Sequence, residues 1–135
     1  KFCAHYILIE AAGGLVYNRE DELLMIFRNG KWDLPKGKKE KGEEIESCAK
    51  REVQEECGVR NLEITEKLMD TYHIYTHKGK KVLKRTFWYK MKTDFEGELI
   101  PQKKEGIRQV VWVKEEKIKE KIKNSYANIR ELLVC

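Results

Sequence analysis

Along the chain, apolar and polar positions alternate in short runs that are interrupted once by a helical period. "YILIEAAGGLVYN" reads as a strand whose glycine pair permits close backbone approach, and "ELLMIFR" as a second strand after the "REDE" turn. Asn29-Gly30 then turns the chain into "KWDLP", a third short strand or extended piece, and "KGKKEKG" is a loop. The period changes in "GEEIESCAKREVQEECGV", which has no proline and is rich in helix formers. It predicts a helix from about Gly42 to Cys57, capped by Gly58 in a left-handed conformation. Two long β segments follow, "LEITEKLMDTYHIYTH" and "KVLKRTFWYKMKT", joined through Lys78-Gly79-Lys80 as a hairpin. "RQVVWV" is one more strand, and "EEKIKEKIKNSYANIRELL" has helical periodicity broken near Asn124-Ser125. Strands on both sides of one internal helix predict an α/β (α+β) fold, a mixed sheet covered by helices. No repeat, linker or low-complexity tract divides it, so residues 1–135 are expected to form a single domain.

The internal helix poses a problem of charge. Ile45, Cys48, Ala49 and Val53 mark its inward side, yet Glu52 and Glu56 fall within the same arc and Glu55 just beside it. At i, i+3 and i+4 these carboxylates converge on one patch. At about 5 Å and an effective dielectric near 20, each like-charge pair costs roughly 3 kcal/mol. Either the carboxylates take up protons or a cation of high charge density sits among them. Carboxylates, waters and a backbone carbonyl are the oxygen ligands that Mg²⁺ or Mn²⁺ prefers, and Mg²⁺ commonly completes its shell with substrate phosphate oxygens. The alternative is a solvated helix on which Lys50 and Arg51 neutralise neighbouring glutamates.

Composition narrows the partners without naming one. The chain has 135 residues, 38% of them charged, and a net charge of +5 spread along its length, which suits an anionic partner but does not select among nucleotides, nucleic acid and an acidic protein. Cys3, Cys48, Cys57 and Cys135 show neither disulfide nor zinc spacing and are read as reduced thiols of a cytoplasmic protein. No apolar run reaches membrane-spanning length. The chain opens without Met directly into strand-like sequence, as expected of a domain from a longer polypeptide with residues missing before Lys1.

The wider spacing decides between the two readings of the helix. Gly37, Glu43 and "REVQEECGV" form a 23-residue pattern with nine constrained positions, Gly-x5-Glu-x7-Arg-Glu-aliphatic-x-Glu-Glu-x-Gly-aliphatic. This resembles the Nudix box of the MutT-like hydrolases without a departure, and "WDLPKG", the strand order and the terminal helices extend the resemblance over nearly the whole chain. The resemblance implies an α/β/α sandwich with a mixed sheet, a catalytic loop-helix-loop and C-terminal helices. It implies a metal site for Mg²⁺ or Mn²⁺ made by Glu52, Glu55, Glu56 and the carbonyl of Gly37, with Glu43 and Arg51 orienting the carboxylates. It also implies an additional carboxylate from outside the box, and Glu105 is the one acid between Ile100 and Gln109.

The reaction so implied is metal-dependent hydrolysis of a pyrophosphate in a nucleoside diphosphate linked to another group. Arg28, Lys36 and, on the hairpin, Arg85 are candidates for the substrate phosphates; Lys84 is another, and strand alternation sends one of that neighbouring pair to the opposite face. Tyr75, sixteen residues past the box, resembles a mark of the dinucleoside polyphosphate branch. Trp32, Tyr72, Tyr75 and Trp88 are candidate stacking aromatics, two of them expected to be packing only, while Trp112 is expected in the core. A regulatory domain that binds a nucleotide metabolite without cleaving it is the competing reading, although such members commonly lack a box glutamate. Pyrophosphate removal from RNA 5′ ends would need a basic channel that scattered lysines do not establish, so nucleic acid is not the expected partner.

Overall fold

The computed structural model describes residues 6–134; Cys3, Cys135 and the start of the chain lie outside the described residues. Its elements are β1 (Tyr6–Tyr17), β2 (Leu23–Arg28), β3 (Lys31–Asp33), β4 (Lys36–Lys38), α1 (Ile45–Cys57), β5 (Leu62–Lys67), β6 (Thr71–His77), β7 (Lys80–Thr93), β8 (Ile107–Val113), α2 (Glu115–Lys121) and α3 (Ala127–Val134). The strands join in one mixed sheet. β1 runs parallel to β7 from Tyr6↔Lys81 to Tyr17↔Lys92, and its other edge takes β4 antiparallel at Ala11–Gly13. β6 and β5 share the far edge of β7. β2 lies between β3 and β8 and meets β1 at Tyr17↔Leu23.

Strand alternation sorts the core into two layers. Leu24 and Ile26 of β2 join Ala12, Val16, Tyr89 and Met91 beneath Cys48, Ala49, Val53 and Cys57 of α1. Leu23 and Met25, one position away, join Leu15, Trp88 and Val113 against Ile122, Ile129 and Leu132 of the C-terminal segment. Helices therefore cover both faces of the sheet, which is the predicted α/β/α arrangement. Among the described residues no helix is long and apolar enough to cross a membrane.

Several boundaries differ from the sequence reading, each for a local reason. The helix begins at Ile45 because Gly42 is left-handed, with φ +80°, and Glu44 is extended. Gly58 caps the other end at φ +76°, donating its N–H to the Gln54 carbonyl, as expected. Residues 62–77 form two strands rather than one, since the pairing with β7 shifts register between Lys67↔Tyr89 and Thr71↔Thr86, with the Leu68 N–H on the Trp88 carbonyl between them. "KGK" is strand β4, not loop. The C-terminal helices break where Ser125, extended, donates its hydroxyl to the Trp32 carbonyl at 2.6 Å. Trp88 is buried and donates its indole N–H to Thr71 Oγ1 at 2.8 Å, so it belongs to the core and not to a binding wall. Trp112 is half-buried against the α1-side core, and Cys48 and Cys57 are buried free thiols.

Close approach is what Gly13 provides. A Cβ there would lie 2.4 Å from the Pro35 carbonyl oxygen, 2.7 Å from Lys36 Cβ and 2.8 Å from the Trp88 ring, with no slack in the backbone it meets. Gly13→Ala is expected to lower the unfolding free energy by about 1–3 kcal/mol, measured by urea titration, because β4 must move off β1 to admit the methyl group. Unchanged stability would show that this strand contact is not closely packed.

Candidate active site

Arg51 organises the acidic side of α1. Its Nε and one terminal nitrogen form a fork with both oxygens of Glu43, at 2.7 and 3.0 Å, and that nitrogen also donates to the Lys38 carbonyl at 3.1 Å. The other terminal nitrogen donates to Glu52 at 2.8 Å and to Glu55 at 3.1 Å. The fork holds the Glu43 carboxyl down to about 2. Glu43 also accepts the Glu40 N–H at 3.0 Å, so one ion pair fastens the loop before the helix to the helix itself. The Glu52 carboxylate lies over Gly37: a Cβ at that glycine would sit 2.0 Å from its carboxyl carbon. Only glycine leaves room for it there. Burial raises Glu52, Arg51 opposes the rise, and the charges of Glu55 and Glu105 add to it.

Glu56 occupies a different environment. It is 2% exposed; one oxygen accepts the Lys36 backbone N–H at 3.0 Å, and the other stands 3.6 Å from Arg28. Burial pushes its carboxyl up to about 7 against the pull of Arg28 and Lys36. The second guanidinium nitrogen of Arg28 is 3.6 Å from Asp33, which is buried, accepts the Leu34 N–H at 2.8 Å and pairs with the Lys36 ammonium. Lys84 is half-buried and its charge is disfavoured by burial first, then by Lys36, Arg28 and Lys38. Four cations thus lie within electrostatic reach of one another with Asp33 among them.

The structure separates the two hairpin cations. Lys84 pairs across the strands with His73, and Tyr75 lies on the same face one pair further along, opposite Val82; the two rings are 5.1 Å apart. Arg85 points to the other face, where it is paired with Asp70 at 2.7 Å and lies 4.4 Å from the Phe87 ring. It is not brought to the Arg28, Lys36 and Lys84 group, whereas Arg28 and Lys36 are brought to Glu56. Glu105 ends a short 3-10 turn, Lys103–Glu105, with Gly106 left-handed behind it at φ +78°. That loop is docked on the end of α1 by the Ile100 N–H on the Cys57 carbonyl at 2.9 Å and the Gln102 N–H on the Glu56 carbonyl at 3.2 Å. Among the described residues Glu105 makes no ion pair with Lys103 or Lys104. Tyr72 is exposed on the Arg85 face, and Trp32 is half-buried against Phe27 and the Lys121 ammonium.

A profile of the NUDIX domain matches residues 8–133. The chain belongs to the Nudix family. It is a Nudix pyrophosphohydrolase, an enzyme that cleaves acid anhydrides. Solved structures share the fold. An Ap4A hydrolase binary complex from C. elegans has TM-score 0.71 and 24% identity, covering 93% of each chain. The MutT protein of Methanosarcina mazei Go1 has TM-score 0.70 and 24% identity over 96% of this chain and 92% of its own. A MutT protein from Bacillus halodurans has TM-score 0.65 and 26% identity over 94% and 80%.

The donor set of this Nudix site suits a hard divalent cation. Among the described residues Glu43, Glu52, Glu55 and Glu56 form ion pairs with Arg51 and Arg28, and Arg28 is shared with Asp33, which leaves negative charge in excess around α1. Glu52 and Glu55 already share one guanidinium nitrogen, so both reach a common point. All candidate donors are oxygens, the preference of Mg²⁺ and Mn²⁺. Among the described residues no three acidic, histidine or cysteine side chains close into a single cluster, however, because Glu56 is drawn towards Arg28 and Lys36. Asp33 and His73 stand beside the Arg28, Lys36 and Lys84 group, and sequence reasoning singled out neither; the only signal for Asp33 was its place in "WDLPKG".

The buried Glu56 carboxyl predicts a pH dependence of the metal-free fold. Its folded value of about 7 lies above the ordinary 4.5, so the native state binds this proton more tightly than the unfolded chain. The contribution is fully present below about pH 4.5 and is lost as pH rises towards 7. In chelator, wild-type stability relative to Glu56→Gln should fall across that window in urea titrations at each pH. A relative gain there would contradict the burial of an ionisable Glu56.

Proposed function

We propose that this Nudix enzyme hydrolyses a pyrophosphate in a nucleoside diphosphate linked to another group, with dinucleoside polyphosphates as the favoured substrates. Mg²⁺ or Mn²⁺ would be held by Glu52, Glu55, Glu56 and the Gly37 carbonyl, with Arg51 and Glu43 keeping the carboxylates in place. When bound, the ion supplies charge neutralisation at the phosphate and acidifies water. The observation that carries the substrate reading is the single sheet face on which Lys84 stands beside His73 and Tyr75, with Lys36 and Arg28 in electrostatic reach. Cations for a phosphate chain and two neighbouring rings for a base follow one another there.

The chain's own residues then divide the work. Lys36, Lys84 and Arg28 take phosphate oxygens, and half-burial strengthens each contact by lowering the local dielectric. Tyr75 and His73 offer a wall for one base. Glu105, exposed in the loop docked on α1, accepts the proton of the attacking water; the action of its charge on the Glu52 carboxyl supports that role. Glu52 and Glu56 are the alternative bases.

A screen of dinucleoside polyphosphates, nucleotide sugars, diphosphoinositol polyphosphates and 5′-triphosphorylated RNA with Mg²⁺ and Mn²⁺ tests the substrate. Activity should vanish in excess chelator, and Glu55→Gln or Glu56→Gln should lower turnover by orders of magnitude with the fold intact. Glu105→Gln should lower kcat at saturating metal with little change in KM. Retained turnover in the box variants would refute the metal site, and wild-type kcat in Glu105→Gln would refute the base.

Tyr75→Ala should raise KM for dinucleoside tetraphosphate by about tenfold, the order expected from losing one base-aromatic stack. If KM is unchanged in steady-state kinetics, the branch assignment loses its support.

A further inference from the structure

Asp33 is a buried carboxylate that the reaction as described does not use. It ends β3, is 2% exposed, and spends Oδ1 on the Leu34 N–H and Oδ2 on Lys36 and Arg28. Arg28 is thereby stretched between two buried acids, 3.6 Å from Asp33 with one terminal nitrogen and 3.6 Å from Glu56 with the other. Both separations are those of ion pairs, longer than a hydrogen bond. Arg28 is held back from either partner. If the pull towards Asp33 were removed, the guanidinium would close on Glu56 as a two-pronged fork, the geometry Arg prefers with a carboxylate. Glu56 Oε1 already accepts the Lys36 N–H, so a closed fork would occupy the oxygens that remain for a cation.

We propose that Asp33 is a positioning residue that restrains Arg28, and with it Lys36, so that Glu56 stays open to the divalent cation and both cations stay turned towards the substrate phosphates. The inference rests on the reading of Glu56 as a metal ligand. Asp33 also lets Arg28, Lys36 and Lys84 crowd together, since it supplies the counter-charge among them.

The test is Asp33→Asn, which keeps an acceptor for the Leu34 N–H and removes the charge. Mn²⁺ affinity of the substrate-free protein, by calorimetry, should weaken about tenfold, the scale at which residues that hold metal ligands act. Turnover at non-saturating Mn²⁺ should fall with it and recover as Mn²⁺ is raised, a response that a general structural defect would not give. In an Arg28→Ala background the same substitution should have no further effect on Mn²⁺ binding, because the side chain it restrains is gone. Unchanged Mn²⁺ affinity in Asp33→Asn, or an equal loss with Arg28 absent, overturns the proposal. Should Asp33→Asn unfold, Arg28→Ala is the second variant: with no guanidinium left to close on Glu56 it should bind Mn²⁺ at least as tightly as wild type, and a tenfold loss there overturns the proposal. Glu56→Gln is measured alongside: if it binds Mn²⁺ as wild type does, the metal-site reading itself has failed, whereas its loss together with an unaffected Asp33→Asn refutes only the role of Asp33.

Discussion

The Arg51 guanidinium stands where α1, the loop before it and β4 meet, and the order of the acidic side of α1 depends on it. Remove its charge and Glu52 and Glu55 of one helical turn, with Glu43 of the loop before it, repel one another with no counter-ion between them. Remove its fork geometry and the loop carrying Glu40 and Glu43 loses its tie to the helix, while the Lys38 carbonyl of β4 loses a donor. A lysine would keep the charge but not the fork. Burial makes this interaction strong as well as necessary, because Glu43 and Glu52 are both largely screened from water.

The sheet supplies the matching half of the site through close approach. β4 lies against Ala11–Gly13, which have no bulk to hold it off, and this brings the Lys36 N–H under Glu56 and Gly37 under Glu52. Two carboxylates of one helix are thus seated on one three-residue strand. Lys36 is carried on β4 itself, Arg28 on β2 and Lys84 on β7, all strands of the one sheet, so the acidic and basic groups share a rigid frame instead of meeting across flexible loops.

The glutamates were legible because helix spacing is periodic: residues at i, i+3 and i+4 must share a face whatever else the fold does. Gly37, Glu43 and Arg51 were legible through the box that contains them. Lys84 and Arg85 were not separable, since alternation sends them apart without saying which goes where; the register that sets Lys84 beside His73 decides it. Asp33 gave no periodic signal, because its partners Arg28 and Lys36 reach it only through the β2–β3 hairpin and the turn at Pro35. Trp88 was one of four candidate stacking aromatics of which two were expected to be packing only, and alternation alone did not say which; the C-terminal helices cover its face and Thr71 satisfies its indole. A helix from a distant part of the chain can bury a strand face that looks amphipathic locally.

Each residue of β1 faces one 75 positions later in β7, from Tyr6 with Lys81 to Tyr17 with Lys92. Such pairing closes a long loop before it is rewarded, so the central pair of strands belongs to the slow part of assembly. On a ribosome adding 5–20 residues per second, β1 emerges roughly 4–15 s before its partner exists. During that interval α1 and the β2–β3 hairpin are available to it, but β7 is not. The acidic helix is therefore synthesised, and its local ion pairs can form, before the strand that carries Lys84 arrives, which makes Lys84 the last of the Arg28, Lys36 and Lys84 group to take its place.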